Sequence, residues 1–447
     1  MLSIILLAFL LRMINIGQSF WLDEAIGMLV VKRFDIWGIV TEFMISDNHP
    51  PLYYIMLEIW TYFVGLSELG ARSMSVVAGV LTVFVVYLII KNKWSALLLA
   101  TAPLHVYYSQ EARMYIFVAF FASLSVYFYL RKKYLFYGIA ITLMMFSDYM
   151  PLFMLPVFWI DMYLRKSGLN DWKKFIYSHL ILLTFGLLWL PMFFKQIGTG
   201  RQMLESLPEW SKLAGGATLK NLILLWNKFI LGRISFYPKE IYYLLTILSS
   251  LPFLYLLKKS LVAKNIFYWV WLVVPVVLSF IASLAFPGFN YFRLIYVLPA
   301  FYILISHLKG KLLWLILLIN LLGLSIYYLD SNQSRENWRQ AVSFVSSQIK
   351  DDEAVVLNYP GYFAPYEWYA KDLQTVLAAD RILVNKQKTT DNLETATNQF
   401  SGLYYFNYLE DLTDPDGVVY SWMTNNGYKV VNEYQFIGIG SVKYLRR

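Results

Sequence analysis

Val76-Val77-Ala78-Gly79-Val80-Leu81-Thr82-Val83-Phe84-Val85-Val86-Tyr87-Leu88-Ile89-Ile90 carries no charge and stops at Lys91. With the residues just before it, this segment (73–91) is long enough to cross a hydrocarbon core about 30 Å thick as an α-helix. Comparable apolar runs recur near 94–109, 113–130, 134–149, 150–164, 175–194, 238–257, 265–285, 291–307 and 311–329, with another at 2–17. Hydrophobic residues make up 58% of the 447 and charged ones 15%, at mean hydropathy +0.51. A soluble chain of this size could not enclose so much apolar surface. The expected fold class is a polytopic α-helical membrane protein with about eleven transmembrane helices.

The net charge of +9 would suit a nucleic-acid binder, but its distribution argues against one. Residues 330–447 hold 11 Lys+Arg and 15 Asp+Glu, a net of −4, which leaves +13 on the membrane part. The excess sits in short loops: Lys91 and Lys93; Arg131, Lys132 and Lys133; Arg165, Lys166, Lys173 and Lys174; Lys258, Lys259 and Lys264; Lys309 and Lys311. Basic loops stay on the cytoplasmic side. All five share one face only if the long loop 18–72 starts and ends outside. The segment Pro51–Val64 is then an interfacial or re-entrant helix, and it is short for a span. Ile36, Trp37, Ile39, Val40, Phe43 and Met44 recur at helical spacing before it, as in a helix lying on a membrane surface. The first apolar run lacks a small-residue cleavage site and reads as a retained helix. The outer loop 195–237 contains Leu219–Phe229, an apolar stretch with interspersed lysines that reads as an interfacial helix or lid. With no cysteine, disulfides and thiolate metal sites are excluded.

After Leu329 the composition turns polar and mixed. Ala354–Leu357, Arg381–Val384 and Leu403–Phe406 read as strands, 362–371 as a helix and 428–445 as a hairpin. The chain is thus expected to divide into a transmembrane domain, 1–329, with its long first outer loop 18–72, and a soluble extracytoplasmic α/β domain, 330–447.

Chemistry-bearing residues collect at the outer boundary. Trp21-Leu22-Asp23-Glu24 sets two carboxylates beside an apolar segment, where charge is costly. Neighbours on a helix point about 100° apart, so one acid can act as general base while the other meets a cation; the bland alternative is a favourable first-turn charge. Tyr108-Ser109-Gln110-Glu111-Ala112-Arg113 offers an arginine for bidentate phosphate binding and an acid to orient it or to help hold a cation. In Asp47-Asn48-His49-Pro50-Pro51 the histidine can donate to phosphate or hydroxyl. Phe289-Asn290-Tyr291-Phe292-Arg293 puts an arginine at the outer end of a span, where it either snorkels or neutralises a phosphate. Arg72 is a similar case with weaker support, and Asp148 lies at an outer turn that the sequence alone does not assign. No nucleotide motif is present, which turns the reading away from a cytoplasmic nucleotide-sugar donor.

At these residues the chain resembles the C-type integral-membrane glycosyltransferases (GT-C), in particular the family 39-like protein mannosyltransferase and aminoarabinose transferase branch. The resemblance rests on Phe20-Trp21-Leu22-Asp23-Glu24-Ala25, His49-Pro50-Pro51-Leu52-Tyr53-Tyr54, Tyr108 to Tyr115, and the Arg293 segment leading to Leu298-Pro299-Ala300, in that order over the first 330 residues or so. It implies sugar transfer from a polyprenyl-phosphate donor to a protein, lipid or glycan acceptor outside the cytoplasmic membrane. By matching position Asp23 is the general base and Glu24 its support. Glu111, Arg113, Arg293, Tyr291, His49 and Arg72 would address the donor and its phosphate, with Asp148 a substrate contact. Relatives often carry a basic residue or His at the Asp148 turn. Glu111 is the lone acid of its loop, so no metal ligand set and no cofactor is assigned, and a divalent cation stays open. Membrane lipids are expected partners and nucleic acid is not. A transporter or flippase of lipid-linked glycans is the competing class, although its polar groups should lie near the midplane. An envelope scaffold is a third reading, and an oligosaccharide ligase or polymerase remains within the enzyme class.

Overall fold

The computed structural model describes all residues except 208, 211–214, 262–264 and 309. Lys264 and Lys309 of the basic loops therefore lie outside the described residues. The helices are α1 (Leu2–Met13), α2 (Leu22–Arg33), α3 (Ile36–Thr41), α4 (Leu52–Val64), α5 (Glu68–Ile90), α6 (Lys93–Ala100), α7 (Pro103–Ser109), α8 (Tyr115–Leu130), α9 (Tyr134–Ser147), α10 (Leu155–Leu164), α11 (Leu169–Ser206), α12 (Leu219–Leu231), α13 (Lys239–Ser260), α14 (Ile266–Ala282), α15 (Leu298–Ser306) and α16 (Leu312–Leu329). Helices and strands after residue 333 form a small α/β fold. Contacts divide the chain into two units. One contains Met1–Ile16, Arg33–Arg201 and Ser211–Gln333; the other contains Gly17–Lys32, Gln202–Trp210 and Ser334–Arg447.

Among the described residues, four helices are long and apolar enough to cross a membrane: α5, α11, α13 and α16. Eight shorter apolar helical segments accompany them. Ser67 starts α5 by accepting from Gly70 N–H at 3.1 Å, and Lys91 ends it in a left-handed conformation at φ 52°. Most side chains of α8 are buried. A helix apolar on all sides belongs in a core, and α8 packs against both α5 and α9. At Gly79 of α5 a Cβ would stand 2.2 Å from Ser109 Oγ, so only glycine permits this approach of α7.

Two departures from the sequence reading have clear causes. The run 94–109 is broken into α6 and α7, because Pro103 supplies no N–H to continue the helix. Ala102 N–H bonds instead to Leu99 O at 3.3 Å. Asn320 of α16 then donates to Leu98 O at 3.0 Å, satisfying a carbonyl that an unbroken helix would have used. The second departure is α11, which continues past 194 to Ser206. Its extension is anchored by Gln196, whose amide donates to Met44 O and His49 O, each at 2.9 Å. Hydropathy cannot register a polar helical turn held by such contacts. The apolar stretch Leu219–Phe229 lies in α12, capped by Thr218 on Asn221 N–H.

The second unit carries α17 (Trp338–Gln348), α18 (Ala364–Tyr369), α19 (Lys386–Thr397), α20 (Glu410–Thr413) and α21 (Val418–Asn425). Its strands are β1 (Glu353–Leu357), β2 (Thr375–Leu377), β3 (Gly402–Phe406), β4 (Lys429–Phe436) and β5 (Gly440–Arg446), in the order β2-β1-β3-β5-β4. β1 is parallel to β2 and β3, whereas β5 is antiparallel to β3 and β4. Both central strands are buried on two faces, as their continuous apolar runs require. Val355, Leu357, Tyr404 and Phe406 point to the Trp338 side, and Ala354, Val356, Leu403 and Tyr405 to the Leu393 and Met423 side. The expected strand at 381–384 is absent. Thr375–Leu377 pairs with β1 instead, and Val384 N–H goes to Thr413 O at 2.7 Å.

Candidate functional site

The sequence-selected residues fall into both units. In the first, His49 and Tyr54 converge on Asp47. His49 N–H and Nδ1 meet Asp47 Oδ1 at 2.7 and 2.8 Å, and Tyr54 OH donates to Oδ2 at 2.7 Å. Arg113 Nη1 lies 3.5 Å from the same Tyr54 oxygen. Pro51 already takes helical angles, φ −78° and ψ −18°, and opens α4 directly after this cluster. An ionised Asp47 fixes the imidazole with Nδ1–H toward it, which leaves Nε2 buried and without a hydrogen-bond partner among the described residues.

The Asp47 carboxyl is held at about 2. Burial pushes it up, but the His49 charge, the hydrogen bonds from His49 and Tyr54, and Arg113 outweigh that and lower it from 3.8. A carboxyl lowered on folding stabilises the fold above 3.8, and this stabilisation is lost as the pH falls through about 2. Asp47→Asn should therefore cost about 2 kcal/mol at neutral pH and progressively less in acid. Thermal melts in detergent test this: equal stability of variant and wild type at neutral pH would refute the linkage.

Glu111 and Arg113 occupy the buried turn between α7 and α8, where Arg113 N–H donates to Glu111 O at 2.8 Å. Arg113 also lies 5.9 Å from the Tyr115 ring centre. Beside them is a residue that the sequence reading missed. Arg233 donates to Tyr107 OH, and its guanidinium stands 5.0 Å over the Tyr107 ring. Tyr107 favours its charge most, and Tyr291, Tyr108 and Glu111 add to it, so its pKa is raised above the ordinary value while the residue keeps contact with solvent. Gly232 makes this placement possible: at φ 76° it ends α12, and a Cβ there would meet Pro103 Cβ at 2.5 Å. The only available sequence signal was an arginine directly after a glycine at a helix end.

Arg293 is half-buried. Its Nε has no hydrogen-bond partner among the described residues, and Nη1 lies near Gly288, where a Cβ would be 3.9 Å away. Tyr291 packs edge-on against Phe292, which in turn contacts Tyr115 at 4.9 Å. Asp148 Oδ1 accepts from Met150 N–H at 2.8 Å, a local cap, while its buried Oδ2 has no partner among the described residues. Arg72 is fully enclosed and donates to Ile16 O at 2.7 Å.

The acidic pair lies in the other unit. Asp23 and Glu24 open α2; Glu24 is fully buried and Asp23 retains some exposure. Residues leading into α2 are bound to the C-terminal fold. Phe20 N–H donates to Tyr369 OH at 2.8 Å, and its ring meets Trp368 edge-on at 5.6 Å. Arg339 Nη2 reaches Gly17 O at 3.2 Å, and Lys32 lies 5.7 Å over Trp368. Among the described residues, no three His, Cys, Asp or Glu side chains form a group that could hold a metal ion.

The architecture matches solved membrane enzymes. ArnT from Cupriavidus metallidurans bound to undecaprenyl phosphate superposes at TM-score 0.57 and 12% identity, covering 99% of this chain and 96% of that one. Its apo form gives 0.55 and 10% over the same shares. The chain has a GT-C glycosyltransferase fold. The Archaeoglobus fulgidus oligosaccharyltransferase in the apo form, another GT-C protein, gives 0.51 at 13% identity, covering all of this chain and 74% of that one. No protein-family model and no curated protein sequence matches. The fold, a helical membrane body with a small C-terminal sheet, is thus like that of these structures. Among the described residues four helices are long and apolar enough to cross a membrane, fewer than the eleven spans expected from the sequence.

Proposed function

We propose that the protein transfers a sugar from a polyprenyl-phosphate donor to an acceptor hydroxyl on the extracytoplasmic face of the cytoplasmic membrane. One observation carries this reading most: the fold is shared over nearly the whole chain with an ArnT structure that holds undecaprenyl phosphate. The side chains agree with it. Arg233 and Arg293 offer guanidinium groups suited to an anionic donor, with Tyr291 and Glu111 around Arg233. In the proposed step the acceptor oxygen attacks the anomeric carbon and gives its proton to Asp23. The anomeric carbon–oxygen bond breaks, and polyprenyl phosphate leaves with the electron pair. Glu24 supports the base. Seven further apolar segments (α1, the broken α6–α7 run, α8, α9, α10, α14 and α15) join the four long helices in this reading to give eleven crossings, with the basic loops cytoplasmic. The acceptor is a protein, lipid or glycan hydroxyl. An oligosaccharide ligase or polymerase uses the same chemistry and would differ in its acceptor.

Incubating purified protein with a panel of polyprenyl-phosphate sugars, and following free polyprenyl phosphate by mass spectrometry, tests the reading. Release supports transfer. Donor that is bound or moved across a bilayer without release would instead favour the transporter. Arg293→Met should weaken binding of undecaprenyl phosphate by about tenfold or more, the usual size for a hydrogen bond to a charged group. Unchanged binding in a filter or fluorescence assay would remove Arg293 from the phosphate site.

A further inference from the structure

Glu336, just beyond the last apolar helix, stands among three donors. Leu22 N–H reaches its Oε2 at 3.3 Å, Trp338 Nε1–H reaches Oε2 at 2.8 Å, and Tyr408 OH lies 3.1 Å from both oxygens. Its backbone joins in. Glu336 O accepts from Ser19 Oγ at 2.5 Å, and Arg335 N–H donates to Gln18 Oε1 at 2.7 Å. Leu22 N–H is the first of α2 and has no partner within the helix. A carboxylate from 314 residues further along the chain caps it. Asp23 is the next residue.

We infer that Glu336 is a positioning residue: the C-terminal fold uses it to hold the N-terminus of α2, and with it the orientation of Asp23 and Glu24, in the reaction proposed above. The inference rests on that reading for its catalytic meaning, while the anchoring itself does not. Carboxylates favour a helix N-terminus on electrostatic grounds, and an ionised Glu336 is the form that accepts all three donors at once. A protonated carboxyl would set its own hydrogen against one of them.

The chemistry of Glu336 provides a readout that a merely structural contact lacks. Burial pushes its carboxyl up from 4.5 to about 7, and Asp23 adds to the rise, against the hydrogen bonds from Trp338, Tyr408 and Leu22 N–H. Asp23 is the charged group acting on it from α2; Tyr408 faces it from beyond β3, and uncharged Gly438 from the β4–β5 turn. Arg335 and Arg339 flank it in sequence, with Arg339 turned to Gly17 O and the Tyr369 ring. A carboxyl raised on folding adds stability that is complete below about 4.5 and is lost as the pH rises through about 7. Gln at this position escapes that loss but cannot accept with both of its termini.

The full-length protein in detergent is compared as wild type, Glu336→Gln and Tyr408→Phe by amide hydrogen exchange, thermal melting and donor turnover across pH. Glu336→Gln is expected to speed exchange at residues 20–25 while 353–357 and 402–406 keep wild-type protection. It should melt no lower than wild type at pH 8, yet lose about tenfold to a hundredfold in kcat at unchanged KM for donor. Wild-type turnover should fall as the pH drops through about 7. In Tyr408→Phe this limb should move to higher pH, because one hydrogen bond favouring the ionised form is gone. Unchanged exchange at 20–25 in Glu336→Gln would overturn the anchor. Faster exchange with wild-type kcat and an unmoved pH limb would overturn the positioning role. Absence of wild-type turnover would count against the proposed reaction, leaving exchange to decide the anchor.

Discussion

Asp23→Asn is expected to lower turnover by roughly 10²- to 10⁴-fold, the usual contribution of a general base, with donor binding close to wild type. Two carboxylates share this first turn, and their surroundings separate them. Glu24 is fully enclosed, out of reach of an arriving hydroxyl, whereas Asp23 keeps partial exposure. A base must come within about 3 Å of the proton it takes, which favours the reachable acid. Asn has nearly the same shape and still suits a first helical turn, so the variant removes proton acceptance without disturbing α2. The loss should therefore appear in kcat and leave KM for donor nearly unchanged. Polyprenyl phosphate release measured by mass spectrometry reads the first quantity, and donor retention on the immobilised protein reads the second. A variant retaining more than about a tenth of wild-type turnover would remove Asp23 as the base.

Trp338→Ala should be the most damaging change in the C-terminal fold, costing about 3–5 kcal/mol. The ring is wholly buried. It lies nearly parallel to Phe406 at 5.8 Å and 4°, meets Tyr408 edge-on at 4.8 Å, and contacts Phe363 at 6.3 Å. Truncation empties the centre of one of the two cores that flank the sheet. It also takes the Nε1–H donor from Glu336 Oε2. Against a total stability of about 5–15 kcal/mol for a domain, this removes about a fifth or more. Trp338→Phe, which keeps most of the packing, should lose only about 1–2 kcal/mol. Denaturant titration followed by exchange at 402–406 gives both values. If the alanine variant unfolds at the wild-type midpoint, Trp338 does not organise this core.

Much of the architecture was legible along the chain, because hydropathy and periodicity are local properties. The apolar run 73–91 became α5, and Ala354–Leu357 and Leu403–Phe406 became the doubly buried strands β1 and β3. The clusters at Asp47–His49 and at Glu111–Arg113 drew attention for a physical reason: ionisable side chains beside apolar runs are costly and need partners. Pro103 was visible too, but that Asn320 would satisfy a carbonyl at the break was not. Arg233 escaped notice because nothing in residues 229–237 indicates that Gly232 seats against Pro103 and turns the arginine onto Tyr107. The strand at 381–384 failed because a shorter segment, Thr375–Leu377, took the edge beside β1.

Composition and periodicity by themselves determined a helical membrane body, a small α/β appendage and a short set of acids and arginines. Tertiary structure alone decided that Gly17–Lys32, with Asp23 and Glu24, groups with the C-terminal fold. The physical reason is range. Apolar periodicity is written within a few helical turns, whereas the hydrogen bonds holding this segment to Glu336 and Tyr369 join residues 314 and 349 positions apart, and only the folded chain brings them together.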